Sequence, residues 1–82
     1  MREYQLPQRL AIARTKLGLT RRELGVRAGL QNAESTISLF ETATSVPHLW
    51  ALCRLADVLN TSTDYLLGRS DYMLDPGRVK KR

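Results

Sequence analysis

Residues 19–41, LTRRELGVRAGLQNAESTISLFE, carry the clearest local signals for secondary structure in this chain. Thr20 and Glu23 have the spacing of a capping box, in which the hydroxyl and the carboxylate each accept from the other residue's backbone amide. Leu24 faces the core of the helix that starts there. Gly29 then ends that helix, because a residue without Cβ adopts the left-handed conformation freely. The stretch therefore predicts two consecutive helices joined by a glycine-containing turn.

The second of these helices has an unusual polar face. It begins near Asn32, a good N-cap residue, and only Ile37 and Phe40 are clear core positions. Short polar or acidic side chains crowd its start: Asn32, Glu34, Ser35, Thr36 and Ser38. Exposed hydroxyl and amide groups can meet the hydrogen-bonding groups of base edges at close approach. This face is suited to the major groove of DNA.

Apolar periodicity predicts three more helices around this pair. The first helix has its apolar positions at Leu6, Leu10, Ala13 and Leu17 and ends at Gly18. The fourth follows Pro47, is capped by His48, has its apolar positions at Leu49, Leu52, Ala56 and Leu59, and ends at Asn60. The fifth is capped by Ser62, carries Leu66 and Leu67, and ends at Gly68. No segment shows sustained strand alternation. The sequence predicts an all-α, compact five-helix fold.

Length and composition indicate one small domain. The chain has 82 residues, of which 43% are hydrophobic. Its single cysteine, Cys53, excludes an intrachain disulfide and a cysteine-rich metal site, and we expect it to be buried. No apolar run approaches the roughly 20 residues that span a bilayer, and the N-terminus lacks the apolar segment of a signal peptide. We expect a soluble, cytoplasmic protein with no membrane partner.

The charge distribution favours a polyanionic partner. The net charge is +5 and the isoelectric point is about 10.0. Residues 9–27 carry six basic residues against one acidic residue, whereas residues 28–68 carry one basic residue against four acidic ones. We expect residues 1–68 to form the domain and residues 69–82 to form a basic tail, either disordered or associated with a dimer. Ordinary solubilising charge is the alternative reading.

Catalysis is not expected. The sequence has no histidine paired with a plausible nucleophile, no glycine-rich phosphate loop and no carboxylate cluster for a metal. We therefore predict no enzymatic activity, cofactor, metal or small-molecule substrate.

The ordered motifs resemble one known family. RLAIARTKLGLT, REL, AGL, STISLFE and VPHLWALCRLADVLNTSTDYLLG follow one another as in the lambda-repressor-like, or Xre-type, helix-turn-helix family. The resemblance covers residues 6–68. It implies a DNA-binding domain and double-stranded DNA as the partner.

The resemblance also implies which residues contact DNA. Base contacts fall on Glu34, Ser35 and Leu39, with Asn32, Thr36 and Ser38 as flanking candidates. Phosphate contacts fall on Thr20, Arg21 and Arg22 at the start of the second helix and on Thr42, Thr44 and Ser45 in the following loop. Members of the family usually carry glutamine at the position of Arg21. The loop has no basic residue, so its binding to phosphate would rely on backbone amides and hydroxyl groups.

Two of these positions have alternative readings. Glu34 accepts a hydrogen bond from cytosine or only stabilises the start of its helix. Leu39 contacts a thymine methyl group or closes the core.

The turn between the two helices is longer than the family pattern. Gly29 lies eight residues before Ile37, where six is usual. The extra residues fall within residues 31–33, as in some controller proteins of restriction–modification systems.

Other positions are assigned structural roles. The resemblance implies a salt bridge between Arg14 and Glu41 that orients the second helix of the pair, which is the recognition helix of the family. Trp50 lies off the apolar stripe of its helix, and we expect it, with Tyr72, at a dimer interface. Packing of Trp50 against the tail is the alternative.

These observations predict a transcriptional regulator, most simply a phage- or plasmid-type repressor that binds a pseudo-palindromic operator as a homodimer. Control of a restriction–modification system is one alternative. An antitoxin or adaptor that uses the fold for protein interaction is another. RNA binding is disfavoured because the sequence shows no aromatic stacking platform.

Overall fold

The computed structural model describes residues 4–73, which form five α-helices and no strand. The helices are α1 (Leu6–Lys16), α2 (Arg21–Arg27), α3 (Ala33–Glu41), α4 (Leu49–Leu59) and α5 (Thr63–Leu67). None of these helices is long and apolar enough to cross a lipid bilayer. The all-α, five-helix fold expected from the sequence is confirmed.

Most helix ends follow the sequence signals. Thr20 and Glu23 form the full capping box, with N–H to Oγ1 and N–H to Oε1 distances of 3.0 and 2.8 Å. His48 caps α4 by accepting from the Ala51 amide at 3.3 Å, and Ser62 caps α5 by accepting from the Tyr65 amide at 2.9 Å. Asn60 adopts the left-handed conformation that ends α4.

Asn32 is the exception. It precedes α3 as expected, but its side chain makes no capping hydrogen bond. Its φ and ψ are 49° and 54°, whereas a capping side chain requires an extended N-cap residue. The backbone closes the turn instead, because the Leu30 amide donates to the Gly25 carbonyl at 2.9 Å and the Thr36 amide to the Asn32 carbonyl at 2.8 Å.

The core lies where all five helices meet. Leu10, Leu24, Ile37, Leu55 and Leu66 come from five different helices, and each has 0% of its surface exposed. Full burial of one such side chain contributes about 1.5–3 kcal/mol. This cluster anchors α3 through Ile37 and Phe40, as the sequence predicted.

Four positions assigned to the interior are exposed. Leu17, Leu49 and Leu67 have 51%, 76% and 36% of their surface exposed, and Cys53 is also exposed. Leu17 and Leu49 lie just after α1 and at the first residue of α4, at the edge of the core. Cys53 follows the buried Leu52, and one residue turns an α-helix by about 100°, which carries the thiol away from the core.

Gly25 allows α2 and α3 to cross at close range. A Cβ atom at this buried position would lie 2.6 Å from Ala33 Cβ and 2.7 Å from the Ala33 backbone oxygen. No side chain fits there without moving the α3 backbone. Gly25 therefore sets how closely the turn and the start of α3 approach α2.

The residues after α5 pack back onto the domain. The Arg9 guanidinium donates to the carbonyls of Tyr65 and Ser70 at 3.0 and 2.5 Å. The Met73 carbonyl accepts from the Ser62 amide at 3.1 Å and from the Thr61 hydroxyl. Residues 69–73 of the expected tail are thus held by both side-chain and backbone groups of the domain. The basic residues Arg78, Lys80, Lys81 and Arg82 lie outside the described residues.

Candidate nucleic-acid interface

The polar side of α3 faces outward. Ile37 and Phe40 bury the opposite side, with 0% and 6% exposure. Glu34 and Ser35 are exposed, Ser38 is half-buried, and Asn32 before the helix is exposed. Leu39 has 43% of its surface exposed, so it does not close the core.

An open depression of about 480 Å³ lies between the start of α2 and the first turns of α3. Six of its seven lining residues belong to the expected contact set, namely Arg21, Arg22, Asn32, Glu34, Ser35 and Ser38; the seventh is Ala33. Thr36 and Leu39 do not line it. The fold thus brings four of the six expected base-contact residues together beside two arginines.

The hydroxyl groups of α3 differ in their availability. Ser35 Oγ donates to the Asn32 carbonyl at 3.1 Å, and Thr36 Oγ1 donates to the Gln31 carbonyl at 2.8 Å. A hydroxyl that donates keeps lone pairs with which to accept. The half-buried Thr36 supports the turn more than it serves the surface. Ser38 Oγ makes no hydrogen bond within residues 4–73.

Glu34 contributes an unpartnered carboxylate to this surface. It lies in the first turn of α3, is exposed, and forms no ion pair or hydrogen bond with the residues the structure describes. Both of its oxygens are free to accept. Arg21 and Arg22 line the same depression, so the negative charge lies in a basic setting.

A buried carboxylate at the other end of α3 binds two arginines. Arg14 Nε and Nη2 lie 2.6 and 3.2 Å from the carboxylate oxygens of Glu41, which is the bridge that the resemblance implied. Arg21 Nε lies 2.9 Å from Glu41 Oε1, a contact that the sequence analysis did not foresee. Only 3% of the Glu41 side chain is exposed. α1, α2 and α3 are thus joined through one carboxylate.

The start of α2 already holds an acidic group. The Glu23 carboxylate accepts from the Thr20 amide, and this hydrogen bond lowers the pKa of Glu23 below its ordinary value. The Thr20 hydroxyl accepts from the Glu23 amide. The Thr20 amide is therefore committed within the capping box, and the Thr20 side chain also contributes to lowering the pKa of Glu23.

The loop after α3 uses its amides internally. The amides of Thr44 and Ser45 donate to the Leu39 carbonyl at 3.0 and 3.1 Å. The Thr42 hydroxyl donates to the Ser38 carbonyl at 2.9 Å and lies 2.9 Å from that of Thr44. The amides of Thr44 and Ser45, which the sequence analysis expected to hold phosphate, instead both satisfy the Leu39 carbonyl at the end of α3. Of the hydroxyls, that of Ser45 makes no hydrogen bond within residues 4–73, whereas the Thr42 proton already goes to the Ser38 carbonyl.

Comparison with known proteins agrees with this geometry. Residues 5–67 match the sequence model of a helix-turn-helix domain. The chain belongs to the helix-turn-helix family. Solved structures similar to it include the P22 c2 repressor protein in complex with a synthetic operator, with a TM-score of 0.75 and 28% sequence identity over 83% of this chain and 100% of that chain. The comparison with curated proteins gives no match.

This helix-turn-helix domain is of the lambda-repressor-like type, a DNA-binding, repressor-like fold. α2 and α3 are its helix pair, and the turn between them contains Gln31 and Asn32. Of residues 31–33, where the sequence analysis expects an insertion, the first two lie in this turn and Ala33 is the first residue of α3.

Sequence reasoning missed two residues that support the helix-turn-helix unit. Gly25 permits the close crossing described above, and its signal was a glycine inside a capped helix. Arg54 Nη1 donates to the Ala28 carbonyl at the end of α2, at 3.3 Å. No local sequence pattern predicts this contact, because it joins residues 26 positions apart.

Trp50 and Tyr72 lie at different ends of α4. Trp50, 55% exposed, lies in the first turn, with the Arg54 guanidinium carbon 4.0 Å from its ring centroid and the His48 ring stacked nearby. Tyr72 lines an apolar depression with Leu59 and Asn60 at the last turn. Nine residues of helix, about 14 Å, thus separate the surroundings of Trp50 from those of Tyr72, and Met73 lines the same depression as Tyr72. Leu74, the third tail residue of the alternative, lies outside the described residues.

Proposed function

We propose that this helix-turn-helix protein is a transcriptional regulator that places α3 in the major groove of a specific double-stranded DNA sequence. The main observation that supports this proposal is the polar, outward face of α3, which is anchored by Ile37 and Phe40 and has two arginines beside it. Nine residues at a 1.5 Å rise are about 14 Å long, and the major groove, about 12 Å wide, admits an α-helix. The operator-bound state of the similar P22 c2 repressor supports the proposal.

Base recognition falls on the side chains of the depression. Ser35, Ser38 and Asn32 offer short donors and acceptors, and Glu34 accepts from the cytosine amino group. The carboxylate is tolerated near phosphates because Arg21 and Arg22 line the same depression. Leu39, one turn further along, contacts a thymine methyl group. Thr36 contributes by closing the turn through Gln31.

Phosphate contacts flank α3. Arg21, Arg22 and the Thr20 hydroxyl provide them at the start of α2. The Ser45 hydroxyl provides a weaker one after α3, and the hydroxyls of Thr42 and Thr44 join it when they turn away from the Ser38 carbonyl and from each other. Because the charged contacts of the helix pair are concentrated on α2, its share of the salt dependence comes from two arginines. Each neutralised phosphate contributes about −0.9 to the slope of log affinity against log salt.

We propose further that the regulator is a homodimer that represses by occupying a pseudo-palindromic operator in the cytoplasm. Two recognition helices of a dimer reach successive major grooves about 34 Å apart. The exposed Trp50 surface is the proposed contact between protomers, since tryptophan is a frequent interface anchor. The basic C-terminal residues would add sequence-independent attraction to DNA.

One observation favours a second candidate, a protein-interaction adaptor. Residues 33–46, which hold α3 and its loop, contain no lysine or arginine and two glutamates. An adaptor would lose partner binding on Trp50→Ala and would be insensitive to Ser35→Ala. The proposed repressor would lose operator affinity on Ser35→Ala, so this variant separates the two candidates.

Selection of bound duplexes from a random pool tests the proposal. We expect a preferred sequence with two half-sites that persists from about 50 to about 200 mM salt, although overall affinity falls. Ser35→Ala should weaken binding to it by about 1–3 kcal/mol without changing the free energy of unfolding. Thr15→Ala on α1 is the matched control, because its hydroxyl is also exposed and bonded to its own helix. A pool that shows no sequence preference would contradict the proposal.

A further inference from the structure

Arg21 is held by a partner that the family pattern does not require. Its Nε–H donates to Glu41 Oε1 at 2.9 Å, and the same carboxylate binds Arg14. Arg14 is further fixed by donating to the Leu19 carbonyl at 2.9 Å. The carboxylate is therefore a fixed point rather than a mobile surface charge, and Arg21 is attached to it.

The remaining donors of Arg21 are unused. Its side chain is 45% exposed and lines the depression beside α3 as well as a second one that includes Thr20 and Arg14. Within residues 4–73, only its Nε–H makes a hydrogen bond. Four N–H groups on the two Nη atoms of a guanidinium are left for an incoming anion.

We infer that Glu41 is a positioning residue that holds Arg21 in the orientation in which its free Nη groups bind a DNA phosphate. This inference rests on the proposed function. A side chain fixed before binding loses less freedom on binding, which raises affinity. The planar guanidinium can serve both anions at once, because its five donors point in fixed directions.

The charges of the cluster support this arrangement. Two guanidinium groups and one carboxylate leave one positive charge. A phosphate against Arg21 would complete an alternating row of anion, cation, anion and cation. Each charge would then lie next to its opposite, and the buried carboxylate would be separated from the phosphate by Arg21.

Arg22 provides the matched contrast. It is the next residue of α2, it is exposed, and it lines the same depressions, but it forms no ion pair within the described residues. Arg22 can therefore contribute a positive charge without a fixed orientation. A lysine should replace Arg22 adequately and should not replace Arg21.

The first test compares Arg21→Lys with Arg22→Lys on the duplex recovered from the random pool. We expect Arg21→Lys to lower affinity about 5- to 10-fold and Arg22→Lys at most about 2-fold, because an ammonium cannot hold a carboxylate and a phosphate in one plane. The salt dependence should be unchanged in both variants, since each keeps its charge. Equal losses for the two lysine variants would overturn the inference.

The second test is a double-mutant cycle on DNA affinity with Arg21→Gln, Glu41→Gln and both substitutions together. We expect Glu41→Gln to lower affinity about 5-fold when Arg21 is present and at most about 2-fold in the Arg21→Gln background. An equal loss in both backgrounds would show that Glu41 acts only through the fold. A gain in affinity would show that Glu41 competes with the phosphate. Either result overturns the inference.

The cycle also separates this inference from the proposed function. If the chain prefers no DNA sequence, the proposed function fails, and the cycle is run on any duplex, because phosphate contacts do not depend on sequence. If the chain prefers a sequence but the cycle shows no coupling, only the role of Glu41 fails. Should Glu41→Gln not fold, the pair of lysine variants decides the question.

Discussion

The two ends of α3 are held by different kinds of interaction. At its C-terminal end, the buried Glu41 carboxylate binds arginines from α1 and α2, and the following loop satisfies the Leu39 carbonyl. At its N-terminal end, the Asn32 side chain does not cap the helix, and the turn depends on backbone hydrogen bonds, on the Thr36 hydroxyl that donates to the Gln31 carbonyl, and on the close approach of Gly25 to Ala33. Ion pairs between helices thus hold the C-terminal end, whereas uncharged local contacts hold the end beside the depression.

In the proposed regulator, this difference separates folding from recognition. Glu34 and Ser35 contribute little to the fold, so they can change without loss of stability, and under the proposal such a change would alter the sequence preference. Glu41 has the opposite property. Substitutions at the two ends should therefore divide into those that change stability and those that change binding.

Loss of the buried carboxylate should have the largest effect on stability. Glu41→Ala leaves Arg14 without its partner in a site where the two side chains are 14% and 3% exposed. We expect a loss of about 3 kcal/mol in the free energy of unfolding, at the lower end of the range for a broken buried ion pair. Urea denaturation measures it. Glu34→Ala, on the same helix but exposed and unpartnered, should change stability by less than about 0.5 kcal/mol.

Gly25→Ala tests the close crossing at the other end. The added Cβ would meet the Ala33 backbone at 2.7 Å, so α2 and α3 must separate. We expect a loss of about 2 kcal/mol in unfolding free energy, typical of an overpacked site. Gly18→Ala is the comparison, since its φ is +72° and its surroundings are open; it should lose only the backbone strain of about 1 kcal/mol. A stabilised Gly25→Ala variant would contradict the close crossing.

Asn32 distinguishes a backbone turn from a side-chain cap. In the left-handed conformation of this residue, Asn32→Ser should lower the unfolding free energy by about 1 kcal/mol, and Asn32→Gly should cause no loss, because glycine adopts positive φ freely. A capping side chain predicts the reverse order, with serine tolerated and glycine slightly worse. Chemical denaturation of the two variants decides between them.

The smallest effect concerns pH. The hydrogen bond from the Thr20 amide lowers the pKa of Glu23 in the folded protein below 4.5. The contribution of this hydrogen bond to the free energy of unfolding is therefore complete above pH 4.5, and it is lost as the pH falls through the lowered pKa of Glu23. Urea midpoints measured from about pH 6 to about pH 3 should fall more steeply for the unmodified protein than for Glu23→Gln, which keeps an acceptor but does not titrate. Identical slopes would contradict this role.

The sequence predicted the fold well because its signals are local. A capping box, a glycine stop and apolar spacing each act within one helix. Thr20, Gly29 and Leu24 could therefore be assigned their structural roles from the neighbouring sequence alone. The structure also places Asn32, Glu34, Ser35 and Ser38, four of the residues that the resemblance assigned to base contacts, around one depression.

What the sequence did not predict depends on contacts between distant residues. The bond from Arg21 to Glu41 joins residues 20 positions apart, and nothing near either residue signals it. The left-handed turn at Asn32 follows from how α3 is placed against α2 rather than from the identity of the residue. Cys53 was expected inside because cysteine is often buried, but its position on α4 decided its exposure.

The exposed thiol of Cys53 has a practical consequence. It is the only cysteine in the chain, and it lies three residues after Trp50, on the neighbouring surface of α4. Two protomers that meet at Trp50 would bring their sulfur atoms together, so a short bismaleimide should cross-link them in solution. Chains that meet through another face would take up the reagent singly, and storage without a reductant would risk covalent pairs.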